Sequence, residues 1–324
     1  MKKIAIILAA LALQISAAAG EPQNLRLLYW NIQNGMWADQ GNNYDAFVEY
    51  VNYINPDICV WCEAKTHYKT NSPVSFKETD DLYLPAHWNE LAARYGHNYV
   101  YVGGERDFFP QVITSRYPIE NVERMVGDDN VVISHGAGWA KINVGGRDIN
   151  IVTMHTWPQK YNFGLREKSR EEQRESEARA EGDRYRAKEV EWVCNHTINS
   201  VKKAKKQLWM MMGDMNSRSR RDNAKYGWPE DSPKFLAQDY IAHHTPYVDV
   251  VFKWFGPKDL QYTHANKHRI DYVYCTPALY KMVTGVEVIH TGFPANHKVT
   301  GPAAKKRFYY PSDHFPILVD FKIK

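Results

Sequence analysis

The sequence predicts an α/β protein rich in sheet and built as a sandwich. Three observations carry that expectation. Strand-like apolar runs recur along the chain, some are joined by turns too short for a helical crossover, and amphipathic helical patterns fall between others. The runs are residues 25–30, 58–62, 99–102, 111–114, 139–144, 149–154, 207–212, 270–275 and 317–321. Gly145-Gly146, between two of them, is a two-residue hairpin signal. Residues 44–54 carry Phe47, Val48, Val51 and Ile54 at the spacing of one helix face, and Val190, Cys194, Ile198 and Val201 mark a second helix. Hairpins mixed with helices argue against a purely parallel sheet.

Composition sets the outer bounds. The 324 residues are 44% hydrophobic, 13% aromatic and 24% charged, which excludes a mostly disordered or fibrous chain. No internal repeat or low-complexity linker divides it. Lys2 and Lys3 precede an apolar run over residues 4–15, and Ala17-Ala18-Ala19 supplies the small residues a signal peptidase reads. Residues 1–19 are therefore expected to be a secretory signal, leaving 20–324 as one domain exported to the periplasm or beyond. The run is too short to span a bilayer, and no later segment is long and apolar enough. Loss of the two lysines takes the formal charge from +4 to +2.

Export permits a disulfide, and Cys59 and Cys62 form a C-x-x-C. They fall in a strand-like run, which puts them roughly 10 Å apart on opposite faces, too far for a bridge. Buried, inert thiols are expected. Two stretches do not read as compact core. Residues 66–90 are long, polar and aromatic. Residues 157–186 are dense in Arg and Glu, with Glu167, Arg170, Glu171 and Arg174 spaced to pair on a helix. A solvated helix is the plain reading. A flap is the sharper one, because both stretches follow directly on candidate site residues.

Those candidates sit at strand ends, where a rigid sheet presents polar groups to a ligand. Asn31 and Glu63 close the first two runs, His155 closes 149–154, and Asp214 and Asn216 follow 207–212. Asp271 opens the next run, and Asp313 and His314 precede the last. Singly, each suits a turn. Together, Asn, Glu and Asp oxygens suit Mg²⁺, with Mn²⁺ or Ca²⁺ as alternatives. Two histidines can exchange protons with a phosphate oxygen or a water, and Asp271 can orient one of them. The set fits phosphoryl chemistry.

The motifs that carry these residues are Trp30-Asn31-Ile32, Pro56-Asp57-Ile58 leading to Glu63, Ser115-Arg116-Tyr117-Pro118-Ile119, Gly138-Trp139-Ala140, Thr153-Met154-His155, Gly213-Asp214-Met215-Asn216, Arg269-Ile270-Asp271-Tyr272 and Ser312-Asp313-His314-Phe315-Pro316. In this order the chain resembles the endonuclease/exonuclease/phosphatase superfamily over essentially all of residues 20–324. The resemblance implies a four-layer α/β/β/α sandwich of two packed mixed sheets flanked by helices, with one or two divalent cations at one end. It implies Glu63 as principal metal ligand, supported by Asn31 and Asp313. Asp214 and Asn216 would position phosphate and nucleophile. His314, partnered by Asp271, would contact the phosphate and move a proton, and His155 would be the second histidine. Either His314 or Asp214 would activate the water. Arg116 reads as structural. Thr156-Trp157-Pro158 after the second histidine and Cys62 before Glu63 depart from the usual pattern, in the substrate groove.

The substrate expected is a small, lipid- or sugar-linked phosphate mono- or diester, with nucleic acid as the alternative and a non-catalytic binding module as a third reading. A nuclease should gather basic residues. Arg218, Arg220 and Arg221 follow Asn216, and Arg218 and Arg220 are placed to clamp a phosphate. Lys202, Lys203, Lys205 and Lys206 read as the end of a helix. His67, Tyr68, Trp88, Trp157, Tyr161 and Trp228 are candidates for the cleft rim. His243, His244, His264 and His268 lack zinc-ligand spacing.

Overall fold

The computed structural model describes residues 21–71, 87–104, 109–293 and 311–324. The expected signal, 1–19, and the middle of the 66–90 stretch lie outside the described residues.

Apolar strand segments build two six-stranded sheets. The first contains β1 (Gln23–Asn31), β2 (Ile58–Cys62), β3 (Tyr99–Val102), β4 (Val112–Ser115), β11 (Val283–Val288) and β12 (Ile317–Ile323), in the order β11-β12-β1-β2-β4-β3. The second contains β5 (Ile119–Gly127), β6 (Val132–Val144), β7 (Arg147–His155), β8 (Leu208–Asp214), β9 (Val248–Asp249) and β10 (Asp271–Cys275), in the order β5-β6-β7-β8-β10-β9. β1 and β2 run parallel, as do β7 and β8, and the other pairs are antiparallel.

The period of two then sorts the side chains into layers. Leu25, Leu27, Tyr29, Ile58 and Val60 from one sheet meet Ile149, Ile151, Met210, Met212 and Val273 from the other in the central core. The opposite face of the first sheet packs Leu28, Trp30, Cys59 and Trp61 beneath the helices Asp45–Ile54 and Trp88–Ala93. The opposite face of the second packs Val152, Met154, Met211 and Tyr272 beneath the helices Glu181–His196 and Leu236–His244. These are the four layers expected, and they explain why central strands read as near-continuous apolar runs: both faces are covered.

Several expectations change. β5, β9 and β11 were not anticipated: β5 and β11 are largely exposed edge strands, and β9 has two residues. β6 starts at Val132, not residue 139, through the Gly-rich Ser134–Gly138 stretch. There Gly138 is needed because the Gly103 Cα lies 2.4 Å from where a Cβ would stand. The second helix ends at His196, with Ile198 in a 3₁₀ turn and Val201 extended. The lysine run therefore does not close that helix; it lies in the turns that follow. Cys59 and Cys62 face opposite layers, and all four cysteines are free and buried. Arg116 is structural, donating from Nη1 to Asp57 at 3.0 Å. Within 157–186, the helix Arg170–Ala178 carries a Ser169/Glu172 capping box and buries only Gln173 and Ser176, as a solvated helix should. Trp88, Trp157 and Tyr161 are buried in packing and do not rim a cleft.

Candidate active site

Strand direction brings the polar residues together. The C-terminal ends of parallel β1 and β2 point the same way, as do those of β7 and β8. The partner strands β12 and β10 run antiparallel, so their starting ends lie at that same edge. Register makes this specific: Asn31 pairs with Cys62, His155 with Asp214, and Asp271 with Asp214. Asn31, His155, Asp214 and Asp271 also share the parity of the inward-facing core residues, so they continue the intersheet layer where its apolar filling stops. Gly213 lets β7 and β8 close at this point, since a Cβ there would stand 1.8 Å from the Met154 carbonyl oxygen. Glu63 leaves β2 in the left-handed region at φ 55°, its carbonyl accepting from the Gly35 N–H at 2.6 Å.

The side chains form one network. Asn31 Nδ2 donates to Glu63 Oε1 at 3.2 Å and to Asp214 Oδ2 at 3.1 Å. The Asn34 N–H donates to Glu63 Oε2 at 3.0 Å. Asp214 Oδ1 accepts from the Asn216 N–H at 2.9 Å, and Asn216 Nδ2 donates to the Thr156 carbonyl at 3.1 Å. His314 Nδ1 lies 2.8 Å from Asp271 Oδ2, and Tyr29 Oη donates to Asp271 Oδ1 at 2.8 Å. The other nitrogen, Nε2, is 3.7 Å from Asp214 Oδ2 and 3.8 Å from Asp313 Oδ1. His155 Nε2 is 3.8 Å from Asp214 Oδ2. Asp313 borders an open depression of about 380 Å³, with Gln33 and Lys267 on its walls.

Charge separates the two histidines. His155 is buried, and His135 stacks on it with ring centroids 4.5 Å apart. Burial first, then its neighbour His135, push it down to about 3. Burial also opposes charge on His314, but the Asp271 and Asp214 carboxylates outweigh it and carry it up to about 10. At neutral pH one ring is neutral and the other a cation.

The donor set fits a divalent cation. Glu63, His155 and Asp214 offer ligand atoms within 4.8 Å of one another, as do His264, Asp313 and His314. The first group brings two carboxylates to one imidazole, the balance of a hard ion. Burial raises the Glu63 carboxyl, against the bonds from Asn34 and Asn31. The His314 cation also opposes burial there, and a divalent cation at Glu63 would add further positive charge.

Nine of the ten residues singled out from the sequence are joined here, directly or through the chain: Asn31, Glu63, His155, Asp214, Asn216, Arg218, Asp271, Asp313 and His314. Arg220 is not. It pairs with Asp239 at 2.7 Å and with Glu230, over the Phe235 ring. The sequence reading missed three residues. His264, set aside for its spacing, lies 3.4 Å from Asp313 through Nε2 and Oδ2. His135 was not singled out. Glu189 is fully buried on the helix Glu181–His196 and accepts from the Ser134 N–H and Oγ and from the Trp157 N–H at 2.6–2.9 Å. It thereby ties the strand end bearing His155 to the strand bearing His135. A carboxylate one residue before Val190 and three after Arg186, on the buried helix face, was its signal.

A model of the Endonuclease/Exonuclease/phosphatase family matches residues 28–314, and the chain belongs to this family. Its fold is one of phosphoesterases and nucleases. Among solved structures, an AP endonuclease from Archaeoglobus fulgidus is similar at TM-score 0.59 and 16% identity, over 92% of this chain and 100% of that one. The human Nocturnin catalytic domain is similar at 0.58 and 14%, over 94% of each chain. A truncated TDP2 from Caenorhabditis elegans is similar at 0.57 and 14%, over 92% and 97%. At such identities the likeness speaks for the fold. No curated protein sequence matches the chain.

Proposed function

We propose that the protein is an exported, Mg²⁺-dependent phosphoesterase that hydrolyses a phosphate mono- or diester by water attack. The observation that carries this reading is the His314–Asp271 pair set against Asp214, on one edge with Glu63 and Asn31. Glu63, Asn31 and Asp313 would hold the ion, which supplies charge neutralisation at the phosphate oxygens. Asp214 and Asn216 orient the phosphate and the water, and Asp214 takes the proton that the water gives up. His314, charged through Asp271, donates a hydrogen bond to a phosphate oxygen and a proton to the leaving oxygen. His155, neutral, takes a second hydrogen-bonding position on Asp214. Arg220 has no part in it.

The substrate class favoured is a small, sugar- or lipid-linked ester. The formal charge of +2 without the expected signal gives little general attraction for a polyanion. A panel of p-nitrophenyl mono- and diesters, sugar phosphates and supercoiled plasmid, with Mg²⁺, Mn²⁺ or Ca²⁺, tests this. Turnover of small esters, stopped by chelator, is expected. Nicking of plasmid at enzyme concentrations that leave the small esters untouched would replace this reading with an endonuclease.

A further inference from the structure

Beside the reaction centre lies a cation that the protein leaves without a counter-charge. Arg218 follows Asn216 in a loop held on both sides: its N–H donates to the Lys234 carbonyl at 3.1 Å, and Gln238 Nε2 donates to Ser217 Oγ at 2.7 Å. Its guanidinium is half-buried. Nη1 donates to the Asn216 carbonyl at 3.2 Å, and Nη2 to His268 Nδ1 at 2.9 Å. Nε is buried with no partner among the described residues. None of these contacts is anionic, and a guanidinium stays charged and offers five N–H groups.

The neighbouring arginines show the contrast. Arg269 donates to Asp222 at 2.9 Å and to Asp249 at 2.7 Å, and Arg220 pairs with Asp239 and Glu230. Among the described residues Arg218 has no such carboxylate. Burial works against its charge, Tyr272 and Tyr226 favour it and Arg186 opposes it, and the carboxylate that acts on it is Asp214, of the reaction centre itself.

What surrounds Arg218 is built to receive something. The turn Thr263–His268 carries His264 at one end, against Asp313, and His268 at the other, against Arg218. The Tyr226 and Trp228 rings stack with centroids 4.7 Å apart, and both stand edge-on to His268. Lys234 Nζ sits over the Trp228 ring at 5.2 Å, adding a second cation. Two cations with a neutral imidazole between them suit a dianion better than a single carboxylate.

We infer that Arg218 and His268, backed by the Tyr226–Trp228 stack and Lys234, form a second anion subsite that takes a phosphate group the substrate carries besides the ester it loses. The favoured substrates are then bisphosphorylated, with the retained phosphate one sugar or polyol ring away from the scissile one. This rests on the phosphoesterase reading above.

The test compares p-nitrophenyl thymidine 5′-phosphate with its 3′-phosphorylated counterpart, using the full chain with Mn²⁺. The 3′-phosphate should raise kcat/KM by at least about tenfold. In Arg218→Met that advantage should fall to within about twofold, with Arg218→Lys in between. A companion titration by calorimetry measures thymidine 3′,5′-bisphosphate against the 5′-monophosphate. Tighter binding of the bisphosphate, lost in Arg218→Met, supports the subsite even if neither ester turns over, in which case the phosphoesterase reading alone fails. Turnover of both esters at a ratio near one in the parent protein, or a ratio that Arg218→Met leaves unchanged, overturns the subsite and leaves the phosphoesterase standing.

Discussion

His314 and His97 show how the same ring is driven to opposite charge states by its surroundings. His314 is held charged by Asp271 and Asp214, up to about 10. In Asp271→Asn the supporting charge is gone, so the proton should leave at lower pH. The alkaline limb of the rate profile should move toward neutrality, whereas an unmoved limb would assign it to another group. His314→Ala should slow turnover by about 10² to 10⁴, as for loss of a general acid or base. His97 bonds Thr114 Oγ1 and the Pro56 carbonyl at 2.9 Å each, and burial lowers it from 6.5 to about 4. Its folded pKa is depressed, so its contribution is complete above the unfolded value and is lost as pH falls from 6.5 toward 4. His97→Gln should remove up to about 3 kcal/mol of the acid-induced loss of stability. Denaturant titrations at pH 7 and pH 4.5 check this. Asn31, Glu63, Asp214 and His314 could be picked from the sequence because each ends or precedes an apolar run. His135 and His264 could not. They meet the site only because β6 is longer than its apolar part and because a turn docks on Asp313, and neither shows in local spacing.

At the scale of elements, the site depends on strand ends held in register. Gly213→Val would push a side chain into the Met154 carbonyl, separating β7 from β8 where His155 and Asp214 sit. It should destabilise the protein by several kcal/mol, on the order of the larger core substitutions, with most of the chain insoluble on expression. Glu189→Leu should be milder to packing but leaves the Ser134 and Trp157 N–H groups without their acceptor. A loss of about 2–4 kcal/mol is expected, and Glu189→Gln should recover part of it. Equal melting temperatures for parent and Glu189→Leu would show that the strand ends do not need this tie. The central strands were readable because both faces are apolar. β5 and β11 were not, since an edge strand alternates weakly and carries charge, and β9 is too short for any pattern. The helix Glu181–His196 was found, but its end was set five residues late because Ile198 and Val201 keep helical spacing beyond the true terminus.

For the whole molecule, the fold is a device for bringing distant segments together: residue 31 and residue 314 meet at one edge because two sheets, each with a parallel pair, close face to face. Order along the chain already implied this arrangement, through strand ends repeated in the same chemical key. The substrate does not follow from it, because the subsite proposed above lies in segments 216–234 and 263–268, whose side chains meet only in three dimensions. Among the described residues no helix is long and apolar enough to cross a membrane, and export predicts a secreted form beginning at Gly20, checked by N-terminal sequencing. The central claim is tested most directly by one titration: the rate of bis-p-nitrophenyl phosphate hydrolysis against Mn²⁺ concentration, for the parent and for Glu63→Gln. The parent should show saturable activation from a chelator-stripped zero, and Glu63→Gln should need at least about tenfold more ion. Hydrolysis indifferent to chelator, or equal metal dependence in both proteins, would contradict a metal site centred on Glu63.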